Sequence, residues 1–297
     1  MDTGPTCGTK SMQLIDGKKI REEILAKIKD EVAILPFQPV FCDVLVGDDP
    51  SSVQYVRMKA KTAESVGIKF HNASFSSDIT TENLIKEIKV LNKIPDMCGI
   101  IVQLPLPESI DKRAVLDAID PRLDVDCLGN IASEKFYHSY EKESDLGFPT
   151  ALACIALLDS LNLDLKNSRH DGTSKKIVVL GQGMLVGKPV THLLLSRELS
   201  PEIVTSKTEN KEKNIKEADV VISGIGQGKY ITGEMIKKGA ILIDAGTSED
   251  CGAIVGDVDL ESVKNVASFV SPVPGGVGPV TVAMLLNNVL TVAKKLN

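Results

Sequence analysis

The sequence predicts an α/β protein of two domains, each built on a parallel sheet. Three observations carry this prediction. Apolar runs of strand length alternate with segments of helical period along most of the chain. The runs VFCDVLVG, CGIIVQL and KIVVLG are nearly continuous in apolar residues, as expected where a sheet is covered on both faces. The length, 297 residues, suits about two domains.

The elements follow in order. Met1–Ser11 is an unstructured leader. Val40–Gly47 is a strand ending at glycine. Ser51–Val66 is a helix, with Ser51 and Gln54 as a capping box and Gly67 just past its end. Ile68–Phe75 is a strand, and Thr81–Asn92 is a helix with Leu84, Ile85, Ile88 and Leu91 on one face. Cys98–Leu104 is a strand, and Asp111–Ile119 a short helix capped by Asp111. A loose polar stretch, Asp120–Leu146, precedes an apolar helix, Thr150–Leu163, with Thr150 as its N-cap. Asp164–Lys175 is polar and turn-rich. A second βα series then starts at Lys176: the strand IVVLG, a helix near Gly187–Arg197, a strand Ile203–Ser206, a helix near Glu209–Glu217, and strands Val220–Gly224, Ala240–Ala245 and Ser268–Val270. The Gly/Pro segment Ser271–Pro279 leads into a last helix, Val280–Leu296.

Composition narrows the function. With 34 basic and 40 acidic residues the net charge is −6, so no basic field invites nucleic acid or an anionic membrane. No apolar run approaches the ~20 residues of a membrane span. The start, MDTGPTCGTK, has neither an apolar core nor an Arg-rich amphipathic pattern, so no export or organelle signal is read. Six cysteines (7, 42, 98, 127, 154, 251) lie far apart without a C-x-x-C pair, which fits a reducing cytoplasm and speaks against a zinc site or disulfide framework. With four histidines, no metal site is expected.

Four segments carry candidate chemistry. In KIVVLGQGMLVGKP a strand runs through Gly181, Gln182 and Gly183 to Gly187 and a helix. Glycines let a backbone approach phosphate, and the helix start offers free N–H groups. The third glycine is one residue late for the usual dinucleotide fingerprint, and tight βα turns also use glycine for structure alone. No acid stands where a ribose hydroxyl is usually gripped. Thr205-Ser206-Lys207 stands there instead, which suits a 2′-phosphate, unless Lys207 is merely solvated.

Tyr55 and Lys59, four apart on one helix, share a face. They sit roughly 100° from an expected core stripe of Val53, Val56, Ala60 and Ala63. An ordinary amphipathic helix would show the same spacing. Gln103 interrupts an apolar strand, between Val102 and Leu104, near the carboxyl end where open α/β sheets place ligands. Neighbouring backbone could equally satisfy it. Asp124 and Asp126 are a loop pair that solvent or turn geometry would also explain. Gly275, Gly276 and Gly278 in SPVPGGVGPVT make a side-chain-free loop for a ligand or for a structural turn.

Together these segments resemble one family, the bifunctional methylenetetrahydrofolate dehydrogenase/methenyltetrahydrofolate cyclohydrolases. YVRMKAKTAESVGI, GIIVQLPLP, DPRLDVD, VVLGQGMLVGKPV, GAILIDAG, VGDVD and SPVPGGVGPVTVAMLL fall in the family's order and span nearly all of the chain from about residue 12. PVPGGVGP with VQLPLP is the most specific combination.

The resemblance implies an N-terminal folate and catalytic domain, residues 12–148 joined by the helix 280–297, and a Rossmann-like nucleotide domain, 149–279, with a cleft between them. It implies oxidation of 5,10-methylenetetrahydrofolate with NADP, NAD being the alternative, then hydrolysis to 10-formyltetrahydrofolate, in a cytoplasmic homodimer. Tyr55 would stack on the aminobenzoyl group. Lys59 would be catalytic, with Gln103 beside it. Asp126 would grip the pterin. Val102, Gln103 and Leu104, with Pro274, Gly275, Gly276 and Val277, would line the folate site. Gly181, Gln182, Gly183, Ser206 and Thr247 would meet the dinucleotide.

The sequence also departs from the family. Gln182 stands for an arginine, Thr205 for a histidine and Cys127 for a glycine, and Phe148–Ala153 replaces the motif P-C-T-P-x-G. A single-activity member, another Rossmann oxidoreductase and a binding-only relative therefore stay as alternatives.

Overall fold

A computed structural model describes residues 12–140, 145–166, 175–250 and 252–296. The leader Met1–Ser11, parts of both polar stretches, and Cys7 and Cys251 lie outside the described residues. Two units are distinct: Lys19–Ala153 with Pro279–Asn297, and Met1–Lys18 with Cys154–Gly278.

The first unit holds three parallel strands in the spatial order Lys69–Phe75, Val40–Val46, Met97–Val102. The middle strand is buried along its whole length, as its apolar run predicts. Helices Pro50–Ser65 and Thr81–Leu91 connect the strands, the second burying Leu84, Ile88 and Leu91. Asp111 caps the helix Lys112–Leu116 through the Ala114 N–H, as its sequence suggests.

The cap of Pro50–Ser65 differs from expectation. Asp49 accepts from the Ser52 N–H at 2.8 Å, while the Ser51 hydroxyl turns back to Asp49. Pro50 presets the first helical turn, so the cap moves one step upstream. Gly67, at φ 86°, ends the helix as predicted. Likewise the apolar helix begins at Pro149 rather than after a Thr150 cap, and stops at Asp159.

Two long helices were not anticipated: Gly17–Val32, which buries Leu25, Ile28 and Val32, and Asn130–Ser139, which buries Ala132 and Phe136; nor was the short helix Leu260–Val263. The last helix, Val277–Leu296, starts three residues early. Contrary to the reading of the sequence, it is long and apolar enough to cross a membrane by length and composition. Its Val280, Ala283, Leu286, Val289, Leu290 and Ala293 are buried in the protein, which marks a core helix. Where it crosses the sheet, a Cβ on Gly99 would lie 2.8 Å from Val289, so only glycine allows this approach.

The second unit holds six parallel strands in the order Gln13–Leu14, Phe269–Val270, Ile241–Asp244, Val220–Ser223, Ile177–Leu180, Glu202–Val204. From Ile177–Leu180 the chain goes outward to Glu202–Val204, then returns to the other side at Val220–Ser223. This reversal is the switch point at which doubly wound sheets bind ligands. An antiparallel hairpin, Ser248–Asp250 with Ala253–Val255, is an addition that the alternation did not suggest.

Candidate active site

In the first unit, Lys59 and Gln103 lie side by side. Lys59 Nζ donates to Gln103 Oε1 at 2.8 Å and lies 4.8 Å from the centre of the Tyr55 ring. Gln103 follows the strand Met97–Val102, tied by its N–H to Val44 O at 2.9 Å, which sets it at the carboxyl edge of the sheet. Its Nε2 donates to Leu104 O at 2.7 Å. The Leu104–Pro105 bond is cis.

Lys59 is more buried than its helical position suggested. It is 2% exposed, in line with Val56 and Ala63, whereas Val53 and Ala60 are only partly covered. The reason is a partner absent from the sequence reading. Asp43, fully buried in the central strand, places Oδ2 2.6 Å from Lys59 Nζ. A buried ammonium needs such a counter-charge. Burial pushes the Asp43 carboxyl up, and Lys59 opposes that rise. A single charge inside VFCDVLV was the available signal.

Tyr55 remains partly open, 37% exposed, which leaves ring surface for stacking. Burial of its hydroxyl, with the charges of Asp126 and Asp43, pushes the phenol up to about 12. Asp126 sits deep in the same site while keeping part of its surface accessible. Burial raises its carboxyl to about 7, with Lys59 lowering it and Asp124 and Asp43 raising it further.

Asp124 does different work. It is 1% exposed, and its Oδ2 accepts from the Gly129 N–H at 2.7 Å, closing the loop that carries Asp126. Neither solvated surface nor a site residue describes it. Cys127 gains a physical account here: its φ is 59°, the left-handed region that favours the family's glycine. Asn288, on the last helix, donates to Val125 O at 2.8 Å and Gly147 O at 2.7 Å and so anchors the same loop.

Pro274, Gly275, Gly276 and Val277 belong to the second unit, as do the cofactor candidates. Val273–Pro274 is cis and Gly275 has φ 110°, a conformation open to glycine. Gly276 N–H bonds to Pro272 O at 2.7 Å, and a Cβ on Gly17 would lie 2.0 Å from Gly276 O.

Gly181, Ser206 and Thr247 follow the carboxyl ends of three parallel strands. Gly181 has φ 86°, and a Cβ on Gly187 would come 2.2 Å from Gly181 O, so the third glycine lets the helix start close against the strand. A Cβ on Gly183 would meet nothing within 4 Å. That opening, above a helix N-terminus, fits a dinucleotide phosphate. Gln182 folds inward, donating to Gly181 O and to Thr191 Oγ1 at 2.8 and 3.2 Å. Ser206, Lys207 and Thr247 are exposed.

Sequence reasoning also missed Asp244 and Asp257. Asp257 accepts from Ser223 Oγ and the Ile225 and Gln227 N–H groups, and Asp244 accepts from the Gly246, Asp257 and Val258 N–H groups. Two buried carboxylates thus shape the loops at the carboxyl edge of the sheet.

Comparison with known proteins identifies the family of the chain. The family model for the tetrahydrofolate dehydrogenase/cyclohydrolase catalytic domain matches residues 15–126, and that for the NAD(P)-binding domain matches 149–297. The bifunctional protein FolD of Halothermothrix orenii is 40% identical over 285 residues, covering 95% of this chain and 98% of that protein. FolD of Bacillus subtilis is 38% identical, with 95% and 98% covered. Among solved structures, the bifunctional FolD of Campylobacter jejuni is similar with a TM-score of 0.89 at 34% identity, covering 96% of this chain and all (100%) of that one. The Trypanosoma brucei FolD, complexed with NADP cofactor and inhibitor, gives a TM-score of 0.87 at 33% identity, with 96% and 98% covered. On both its domains and nearly its full length, this chain belongs to the tetrahydrofolate dehydrogenase/cyclohydrolase family.

Proposed function

We propose that the protein oxidises 5,10-methylenetetrahydrofolate with NADP and then hydrolyses the methenyl product to 10-formyltetrahydrofolate. The observation that carries this reading is the buried Lys59, oriented by Gln103 at 2.8 Å and covered by the Tyr55 ring, in a chain matching both family domains.

The first step needs positioning more than acid–base chemistry, because the cation it leaves is shared by two nitrogens. Bound NADP supplies the hydride acceptor. Gly181, Gln182, Gly183, Ser206 and Thr247 are the residues that would hold it, with the opening at Gly183 for phosphate. Tyr55 stacks on the aminobenzoyl ring, and Asp126 accepts hydrogen bonds from the pterin edge. Val102, Leu104 and Pro274–Val277 contribute apolar and backbone contacts to the folate.

The second step adds water to the methenyl carbon and requires proton transfers. Lys59 is the group assigned to them, since Gln103 fixes its Nζ and Asp126 is committed to the pterin. For the cofactor, Ser206 and Lys207 favour a 2′-phosphate. The inward Gln182 leaves out the arginine fork, so the NADP preference is modest. Four free, buried cysteines (Cys42, Cys98, Cys127, Cys154) suit a reducing cytoplasm, and the family resemblance supports a homodimer.

Purified protein assayed with methylenetetrahydrofolate and either NADP or NAD tests the reading. Reduction of NADP followed by loss of the methenyl absorbance is expected. Turnover with NAD alone would favour a single-activity dehydrogenase, and binding without turnover would favour a binding-only relative. In Lys59→Met the stem stays and the amine is gone, so hydrolysis should stop. Hydrolysis near the wild-type rate in that variant would refute the role of Lys59.

A further inference from the structure

Asp43 is the one charged residue of the strand Val40–Val46, and it lies in its middle. The core does not need it, because Phe41, Val44 and Val46 bury the same strand. Its cost is several kcal/mol of lost hydration for a buried ion. Its Oδ1 has no hydrogen-bond partner among the described residues, and its Oδ2 faces Lys59 Nζ at 2.6 Å. Gln103 already orients Lys59, so beyond the counter-charge a buried ammonium needs, Asp43 brings a proton acceptor to the site.

The chemistry of the second step supplies an explanation. A lysine held by an amide alone must lose its proton to solvent before it can take one from water. Beside a carboxylate, a lysine can pass one proton on as it takes another, so none has to go to solvent first. We propose that Lys59 and Asp43 form such a proton-holding pair, in which Asp43 receives the proton of Lys59 as Lys59 takes one from the attacking water. This rests on the hydrolysis reading above, and it makes Asp43 a positioning residue that acts through Lys59.

The step balances. The water oxygen bonds to the methenyl carbon, and the C=N π pair moves to nitrogen and discharges the cation. One water proton goes to Nζ and one Nζ proton goes to Oδ2, so the pair passes from neutral to +1. On ring opening the C–N5 bond breaks toward N5, which takes a proton from Nζ. The hydroxyl proton of the intermediate returns to the pair as the formyl C=O forms. One proton then leaves to solvent, matching the positive charge lost by the substrate.

The groups facing Asp43 are consistent with this. Lys59 and Tyr55 come from the helix Pro50–Ser65, Cys42 from its own strand and Asp126 from the loop beyond Asp124. Burial pushes the Cys42 thiol and the Tyr55 phenol each up to about 12, so both stay neutral at pH 7. Asp126 is the remaining carboxyl near the pair.

Asp43→Asn keeps the shape and removes the acceptor. At pH 7 the ratio of cyclohydrolase to dehydrogenase turnover should fall by about tenfold or more. The acid limb of cyclohydrolase kcat should move up by about one pH unit or more, because no carboxylate now accepts a proton from Lys59. Activity should return at alkaline pH after the uncatalysed hydrolysis is subtracted. Asp43→Thr reads the same limb if the Asn variant does not fold. In the wild type the limb should appear in cyclohydrolase kcat and not in dehydrogenase kcat. An unmoved limb in the variant, or a limb shared by both wild-type activities, overturns the pair. Loss of hydrolysis in Lys59→Met together with an unmoved limb in Asp43→Asn overturns the pair and leaves the functional reading standing.

Discussion

Gln103 presents its carbonyl oxygen to Lys59 at 2.8 Å because its amide nitrogen is already committed to Leu104 O at 2.7 Å. An ammonium only donates, so the opposite amide orientation would set N–H against N–H. Gln103→Leu should therefore leave Lys59 without this acceptor. A hydrogen bond to a charged group is worth about 1.5–3 kcal/mol, so cyclohydrolase turnover should fall by roughly ten- to a hundredfold. Steady-state rates on methenyltetrahydrofolate check this, and an unchanged kcat would remove Gln103 from the site.

Asp126 predicts a pH dependence of folate binding. Its carboxyl, raised by burial to about 7, must be ionised to accept two hydrogen bonds from the pterin. Folate KM should therefore rise as pH falls through about 7 and level off above it. Asp126→Asn should raise KM above about pH 7, where the wild type is ionised, and abolish that dependence. A variant that lost dehydrogenase alone would place Asp126 with the cofactor instead.

Asp124 predicts a stability effect. Its carboxyl is raised from 3.8 to about 6 by burial, with the Gly129 N–H and other loop N–H groups opposing. The folded state thus binds the proton more tightly than the unfolded one. The carboxylate penalises folding progressively as pH rises from about 4 to about 6. Asp124→Asn cannot ionise, so its stability relative to wild type should increase across that window, whatever its offset at pH 4. Urea unfolding at both ends of the window measures the difference, and a constant difference would contradict the assignment.

Gly183 and Gly187 predict separable failures. A methyl at Gly183 meets open space, so Gly183→Ala should melt like wild type yet bind NADP more weakly. A methyl at Gly187 lies 2.2 Å from a backbone oxygen, so Gly187→Ala should lower the melting temperature. Calorimetry with and without NADP distinguishes the two.

Lys207 predicts cofactor selectivity. It is exposed after the strand Glu202–Val204, free to reach a 2′-phosphate. Lys207→Ala should weaken NADP by roughly ten- to a hundredfold and spare NAD. Titration of both cofactors checks this, and equal losses would show no 2′-phosphate contact.

Much of this was legible in the sequence. Buried strands announce themselves as apolar runs, and glycines mark where backbone comes close to backbone, as at Gly187 and Gly181 O. Gln103 was legible because one amide interrupts such a run. Asp43 interrupts another in the same way and was missed because its partner lies on a different element. The helix Gly17–Val32 was missed although Leu25, Ile28 and Val32 follow helical spacing, since charged residues surround them. Asn130–Ser139 has a weaker signal, with two buried residues and no side-chain cap. Two of the displaced helix starts share a cause: proline at the first turn fixes the start locally, and a nearby hydroxyl residue looks like the cap.

The close approach of Gly17 to Gly276 has a consequence for how the chain matures. Residues far apart in the order of synthesis must meet: Gln13 pairs with Phe269, and Gly17 backs the loop at Gly276. During synthesis the loop that completes the glycine-rich segment has no backing until the early residues, long since released, close over it. A fragment of residues 149–279 alone would expose the strand edge at Val270 and leave that loop unsupported. The nucleotide unit is thus discontinuous in time as well as in sequence. Its minimal independent form carries the segment around Gln13–Gly17, tethered or supplied as a peptide.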